Sequence, residues 1–281
     1  MKKWTITIAL ATVLAANLAH ADASDNSAMA YYQSGKAHQA QGEYDKAVAD
    51  YDKAIEIDPK DAIAYVNRGF AYGKKGDFDK AILDETKAIE IDPKIAEAYV
   101  VRGTAYSHKG DDDEAILDET KAIEIDPKAA IAYVSRGGAY ILKGDYDKAI
   151  LDDTKAIEID PKDAIAYVNR GDAYSRKSDY DKAILDETKA IEIDPKIAHA
   201  YVNRGDAYFH KGDDDKAILD QTNAIKIDPK YASAYVNRGS TYEKMGKRAE
   251  AIIDYRSAIA LSPSNPDAYA KAGLQRLGGA P

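Results

Sequence analysis

Beyond residue 27, apolar and small residues recur with a fixed period of 34. Pro59, Pro93, Pro127, Pro161, Pro195, Pro229 and Pro263 keep it without a slip, as do Tyr31, Tyr65, Tyr99, Tyr133, Tyr167, Tyr201, Tyr235 and Tyr269. Counting Ala62 as position 1, each unit has Tyr at 4 and 11, Gly at 8, Ala at 20 and 27, and Ile at 21, 28 and 30, with few departures. The pattern predicts helix A over positions 1–14, a turn, and helix B over 16–30. Gly42, Gly76, Gly110, Gly144, Gly212 and Gly246 stand where a left-handed residue ends helix A. Asp77, Asp111, Asp145, Asp179 and Asp213 follow as expected caps of helix B. An Asp-Pro-Lys closes most units, and Pro stops helix B because it lacks an N–H and clashes with the preceding turn. Gly at 8 and Ala at 20 and 27 allow close helix approach, while Tyr and Ile supply bulk.

A helical unit of this period cannot bury its own apolar face, so it leans on its neighbours. The units are 28–61, 62–95, 96–129, 130–163, 164–197, 198–231 and 232–265. Asn265 and Pro266 are expected to start a capping helix over 266–277, followed by a frayed tail at 278–281. Residues 79–96 and 181–198 are identical at an offset of three units, which points to duplication of a three-unit block.

With Tyr65 at 4, Gly69 at 8, Tyr72 at 11, Ala81 at 20 and Pro93 at 32, the chain resembles the tetratricopeptide repeat (TPR) family. The resemblance implies an all-α fold, a right-handed α-solenoid superhelix of seven helix-turn-helix units plus a C-terminal capping helix. It also implies a concave face lined by positions 2, 5, 6, 9, 12 and 13 of helix A, and a protein or peptide partner.

Residues 1–21, MKKWTITIALATVLAANLAHA, combine Lys2 and Lys3, an apolar run and an Ala19-His20-Ala21 cleavage pattern. This reads as a secretory signal peptide of Gram-negative type, cleaved after Ala21 and followed by a short linker at 22–27. It implies a periplasmic or secreted protein without stable membrane insertion after cleavage. Charge sharpens the picture. There are 39 basic and 48 acidic residues, a net charge of −9. That balance argues against nucleic acid, which needs a basic face. The chain has no cysteine, which excludes disulfides, thiolate metal sites and a cysteine nucleophile.

Position 7 carries Arg68, Arg102, Arg136, Arg170, Arg204 and Arg238, where the family usually has Leu. Position 23 carries Asp84, Asp118, Asp152, Asp186 and Asp220, with Asp50 and Asp254 in the end units. These are expected to form structural pairs, within a unit or across a joint. Position 24 is aromatic at the ends, Tyr51 and Tyr255, but Glu85, Glu119, Asp153, Glu187 and Gln221 between them. These polar residues are expected to add partners to the neighbouring Arg.

No catalytic residue, cofactor or metal site is expected. Asp111-Asp112-Asp113 and Asp213-Asp214-Asp215 lack a calcium loop and its distal Glu. His199 and His210 stand 11 residues apart, about 16 Å along a helix, too far to share a metal. Position 6 holds Asn67, Asn169, Asn203 and Asn237, resembling the asparagine ladder with which a relative grips a peptide backbone; Val101 and Ser135 break it. An amide offers donor and acceptor at once, which suits a peptide of any sequence. Val134, Ile131, Ile141, Leu142, Phe70 and Phe209 form a second candidate contact, an apolar patch. The family's carboxylate clamp, with Lys at 5 and Asn at 9, is absent. The expected function is a non-catalytic adaptor or scaffold holding an extended segment in its groove. The alternative is a spacer or assembly subunit using its ends or convex face.

Overall fold

The computed structural model describes residues 27–262 and 267–279. The signal peptide, most of the linker, Pro263, Asn265, Pro266, Ala280 and Pro281 lie outside the described residues. What is described is α-helical, with no strand among the described residues, and the helices pack as consecutive pairs of an α-solenoid.

The helices fall into two compact bodies, divided between Lys128 and Ala129. The first contains α1 (27–40), α2 (Tyr44–Ile57), α3 (Ala62–Lys75), α4 (Phe78–Ile91), α5 (Ala96–Lys109) and α6 (Asp112–Ile125). The second contains α7 (Ala130–Lys143), α8 (Tyr146–Ile159), α9 (Ala164–Arg176), α10 (Tyr180–Ile193) and α11 (Ala198–Lys211). It continues with α12 (Asp214–Ile227), α13 (Ala232–Lys244), α14 (Arg248–Leu261) and α15 (Ala268–Arg276). Within each body a B helix touches the A helix on either side of it and no other B helix, whereas successive A helices touch. The A helices therefore crowd one face and the B helices splay on the other.

The core is one cluster repeated. Val168, Ala190 and Ala200 are buried together with Ala164, packed on by Tyr167, Ile191 and Ile193. Val66, Ala88 and Ala98 do the same in the first body. Position 5 of one A helix thus meets position 27 of its B helix and position 3 of the next A helix. Val134 belongs to such a cluster with Ala156 and Ala166 and is mostly buried there. The valine at position 5 points at the next unit because its neighbour's Ala leaves room for it.

The A helices end as glycine permits. Gly76, Gly110, Gly144 and Gly212 take φ of 80–85°. In the unit 164–197 this place belongs to Ser178, at φ 62°, the one non-glycine residue with positive φ among those described. The expected aspartate caps act unevenly. Asp77 and Asp213 accept from the backbone N–H of Lys80 and Lys216 at 3.4 Å, but Asp111, Asp145 and Asp179 make no such bond. Asp145 and Asp179 instead pair with the ammonium groups of Lys148 and Lys182. Firmer caps stand at the start of helix A, where Asp61 and Asp163 each accept two backbone N–H bonds.

Two expectations at the C-terminus are corrected. Asp267 caps the last helix, accepting from Ala270 N–H at 2.9 Å, so the described helix starts at Ala268 and not at 266. Gly278 and Gly279 are not frayed: their N–H groups bond to the carbonyls of Gln275 and Leu274 at 2.9 Å each, closing α15.

Candidate functional site

Each Arg at position 7 binds the Asp at position 23 of its own unit. Arg170 Nε and Nη2 donate to Asp186 Oδ2 and Oδ1 at 2.7 and 2.8 Å. Arg68–Asp84, Arg102–Asp118, Arg136–Asp152, Arg204–Asp220 and Arg238–Asp254 repeat the fork. A planar guanidinium matches a carboxylate in this way, and the bidentate form fixes the angle between the two helices. The third nitrogen crosses the joint: Arg170 Nη1 donates to Thr154 of the preceding unit at 3.1 Å, and Arg204 to Thr188 at 3.0 Å. Arg68 reaches Asp52 in the same way at 2.6 Å. The pairing is therefore within units, with a tether between them. In the first unit Ser34 and His38 take the Arg's place on Asp50, at 2.6 and 2.8 Å. These groups are satisfied by one another.

At position 24, Glu85 and Glu187 do not hydrogen-bond to these forks, and the neighbouring Arg102 and Arg204 reach them only through the field. Glu85 and Glu187 are fully buried. Glu85 has no hydrogen-bond partner, and Glu187 has only the Asn203 amide on Oε1 at 2.9 Å, leaving Oε2 bare. The reason is steric. The side chain of position 24 enters the gap left by Gly at position 8; a Cβ on Gly171 would lie 2.7 Å from Glu187 Oε1. That gap lies against helix A. In the end units the same slot holds Tyr51 and Tyr255, fully buried, whose hydroxyls bond Gln39 and Glu243 at 3.0 and 2.7 Å. Burial drives the carboxyls of Glu85 and Glu187 well above the ordinary range. Asp153 is pushed up to about 9 by burial, aided by Asp152 and opposed by the Asn169 amide.

The asparagines expected to form a ladder have separate duties. Asn67 donates to Ile63 O at 2.8 Å, Asn169 to Val134 O at 3.2 Å and Asn203 to Glu187. Asn203 and Asn237 face a common cavity, while Asn67 lies in the other body. Within the second body the apolar candidates do not gather. Phe70 lies on α3 in the first body, under the Lys74 ammonium at 5.1 Å. Ile131, Ile141 and Leu142 share α7, with Ile131 and Leu142 largely exposed about 16 Å apart along it. Phe209 stands on α11, which does not touch α7, and is covered by Lys244 at 4.4 Å.

The structure instead assembles a polar cavity of about 430 Å³ on the A-helix face of α9, α11 and α13. It is lined by positions 2, 5, 6, 9, 12 and 13, joined by Tyr180 and Tyr231. Asp172 is bound by Arg176 at 3.2 Å. Asp206 accepts no hydrogen bond among the described residues; its nearest partner is His210 Nε2 at 3.7 Å. His210 stacks on Tyr180 with centroids 4.9 Å apart, and His199 meets Tyr231 edge-on at 6.3 Å. Burial raises the Asp206 carboxyl, against the pull of His210 and Arg176. Burial lowers His199, which Asp172 opposes. The two histidines too distant to share a metal thus line one cavity, and no metal-binding cluster of acids and histidines exists among the described residues. The one sequence signal for this site is position 9, acidic only as Asp172 and Asp206 in units whose counterparts read Phe70, Thr104, Gly138 and Ser240.

Models of the tetratricopeptide repeat match residues 35–76, 137–178 and 205–246, and also 62–95, 86–116, 164–197 and 232–265. No curated protein matches. Among solved structures, a chain of the APC/C hetero-tetramer Cut9–Hcn1 is similar at a TM-score of 0.78 and 20% identity, over 86% of this chain and 48% of that one. The chain thus spans about half the length of that relative. MamA is similar at 32% identity, over 58% of this chain and 96% of that one, with a TM-score of 0.51. YrrB, described as a TPR protein with an unusual peptide-binding site, is similar at 27% identity and a TM-score of 0.51, over 66% of this chain and 95% of that one.

Proposed function

Because the chain belongs to the tetratricopeptide repeat family, we propose that it is a non-catalytic scaffold that holds an extended peptide or protein segment. The observation that carries this reading is the polar cavity across three successive A helices, α9, α11 and α13. It is open, and its wall mixes amide, hydroxyl, imidazole and carboxylate groups with the buried Val202. An extended chain offers a donor and an acceptor at every residue, and such a wall can answer both. A net hydrogen bond contributes ~0.5–1.5 kcal/mol, so several are needed for micromolar affinity near 8 kcal/mol. The peptide-binding site named for YrrB supports the same direction.

Export belongs to the proposal as well. The Lys2-Lys3 start, the apolar run and Ala19-His20-Ala21 support a periplasmic or secreted protein. No helix among the described residues is long and apolar enough to cross a membrane.

A second reading, assembly through the outer face, is favoured by one feature. Leu83 and Leu117 in the first body, and Leu151, Leu185, Leu219 and Ile253 in the second, occupy the same position of successive B helices and are 59–70% exposed. Photo-crosslinking separates the two. A benzophenone amino acid at Ser175 or Ser233 reports the cavity, and one at Lys189 reports the B-helix face. In the producing cells, a protein crosslinked from Ser175 and Ser233 but not Lys189 is expected. Crosslinks confined to Lys189 would overturn the groove reading in favour of assembly. N-terminal sequencing of the mature chain is expected to start at Asp22; an intact Met1 would overturn export.

A further inference from the structure

The cavity on α9, α11 and α13 has a charge and a shape that narrow its occupant. Its lining holds two carboxylates, Asp172 and Asp206, against one guanidinium, Arg176, and two imidazoles, His199 and His210. With neutral imidazoles the balance is one negative charge. Arg176 is itself committed to Asp172, at 3.2 Å. Asp206 has no counter-ion within hydrogen-bond reach, and burial disfavours its charge. Behind the wall stands Glu187, fully buried, with Oε1 held by Asn203 and Oε2 bare. Arg176 acts on Asp172 and Asp206, His210 stands 3.7 Å from Asp206, and the buried Glu187 feels Arg204. Two further features favour positive charge independently. Tyr180 and Tyr231 both line the cavity, and aromatic faces attract ammonium and guanidinium groups. Asn203 and Asn237 add amide groups whose oxygens accept.

We propose that this cavity is a specificity pocket for a basic side chain, Lys or Arg, of the segment bound in the groove, with Asp206 as its counter-ion and Tyr180 and Tyr231 as its walls. The proposal rests on the groove reading above and adds the class of residue recognised. A long side chain suits the site: about 430 Å³ accommodates an alkyl stem along Val202 with its cationic head at Asp206. An acidic segment is repelled by Asp172 and Asp206. A neutral one covers Asp206, whose side chain is 41% exposed, without supplying a hydrogen-bonded counter-ion, a loss that polar sites punish heavily.

The test is selection of a random dodecapeptide library on the full chain, followed by fluorescence anisotropy with the selected peptides. Enrichment of one Lys or Arg position is expected. Asp206→Asn should weaken those peptides about tenfold, and replacing the enriched residue by Gln should cause a similar loss, with little added when the two changes are combined. Asp172→Asn provides a second variant, and circular dichroism shows whether each variant keeps the parent helicity. Enriched peptides without a basic residue would overturn the pocket and leave the groove reading standing. Basic peptides bound equally by the parent and both variants would also overturn it, since they would then be reading the net charge of −9 elsewhere on the chain. No enrichment of any peptide would overturn both readings.

Discussion

Asp153→Asn tests the account of the buried acids most directly. Asp153 is fully buried in the slot beside Gly137, where a Cβ would lie 2.8 Å from its Oδ1. Its carboxyl is pushed up to about 9 from an ordinary value of 3.8, chiefly by burial. The sign follows from linkage. The folded chain binds this proton more tightly than the unfolded chain, so the stabilisation is complete below pH 3.8 and is lost as pH rises towards 9. Between these limits the loss is about 1.4 kcal/mol per pH unit, or roughly 4 kcal/mol by pH 7. Asn keeps the shape and removes the titration. It also buries amide protons short of acceptors, at about 1–3 kcal/mol. A net gain of roughly 1–3 kcal/mol at neutral pH remains. Urea unfolding followed by circular dichroism between pH 5 and 8 gives the comparison. Glu85 and Glu187 titrate in both proteins, so the difference between the two pH profiles isolates Asp153. The parent is expected to lose stability more steeply than the variant by about 1.4 kcal/mol per unit. Parallel profiles would refute the burial of a protonated carboxyl at this joint.

Three further outcomes are expected. Arg170→Ala leaves Asp186 buried without its fork and removes the tie to Thr154, so thermal unfolding should show a loss of ~3–5 kcal/mol. An unchanged melting temperature would exclude a structural role for the pair. Ser178→Gly relieves a left-handed residue and should stabilise the chain by about 1 kcal/mol in urea, whereas a destabilised variant would mean that the hydroxyl matters more than φ 62°. Gly171→Ala should destabilise by about 1–3 kcal/mol, because its Cβ would meet Glu187; the double variant Gly171→Ala with Glu187→Ala should recover part of that loss.

The buried acids also separate the ends of the chain from its middle. Tyr51 and Tyr255 fill their slots with a ring and bond their hydroxyls at the far end, whereas Glu85 and Glu187 bring a charge-bearing group into the same space. The middle joints are therefore held by the Arg–Asp forks and their threonine tethers more than by aromatic packing. Truncating a fork should cost more in the middle than the same change at Arg238–Asp254 in the last unit.

Periodicity alone determined the helices, because Gly, Pro and Asp act on the backbone of their own neighbourhood and need no tertiary partner. Gly76 and Pro93 mark their turns whatever packs against them, and the 34-residue spacing identified the family before any contact was known. The pairing of Arg170 with Asp186 was suggested by repetition, but its assignment to one unit and the third bond to Thr154 depend on helix crossing geometry. The fate of Glu187 was hidden for the same reason: 17 positions in sequence separate it from Arg170, yet it packs against Gly171 and makes no hydrogen bond to the guanidinium. The cavity was less visible still. His199, Asp206, His210, Asp172 and Tyr231 come from three consecutive units and follow no shared motif. Local chemistry writes a repeat into the chain, but a site made of the residues in which repeats differ exists only once neighbouring A helices bring them to one wall.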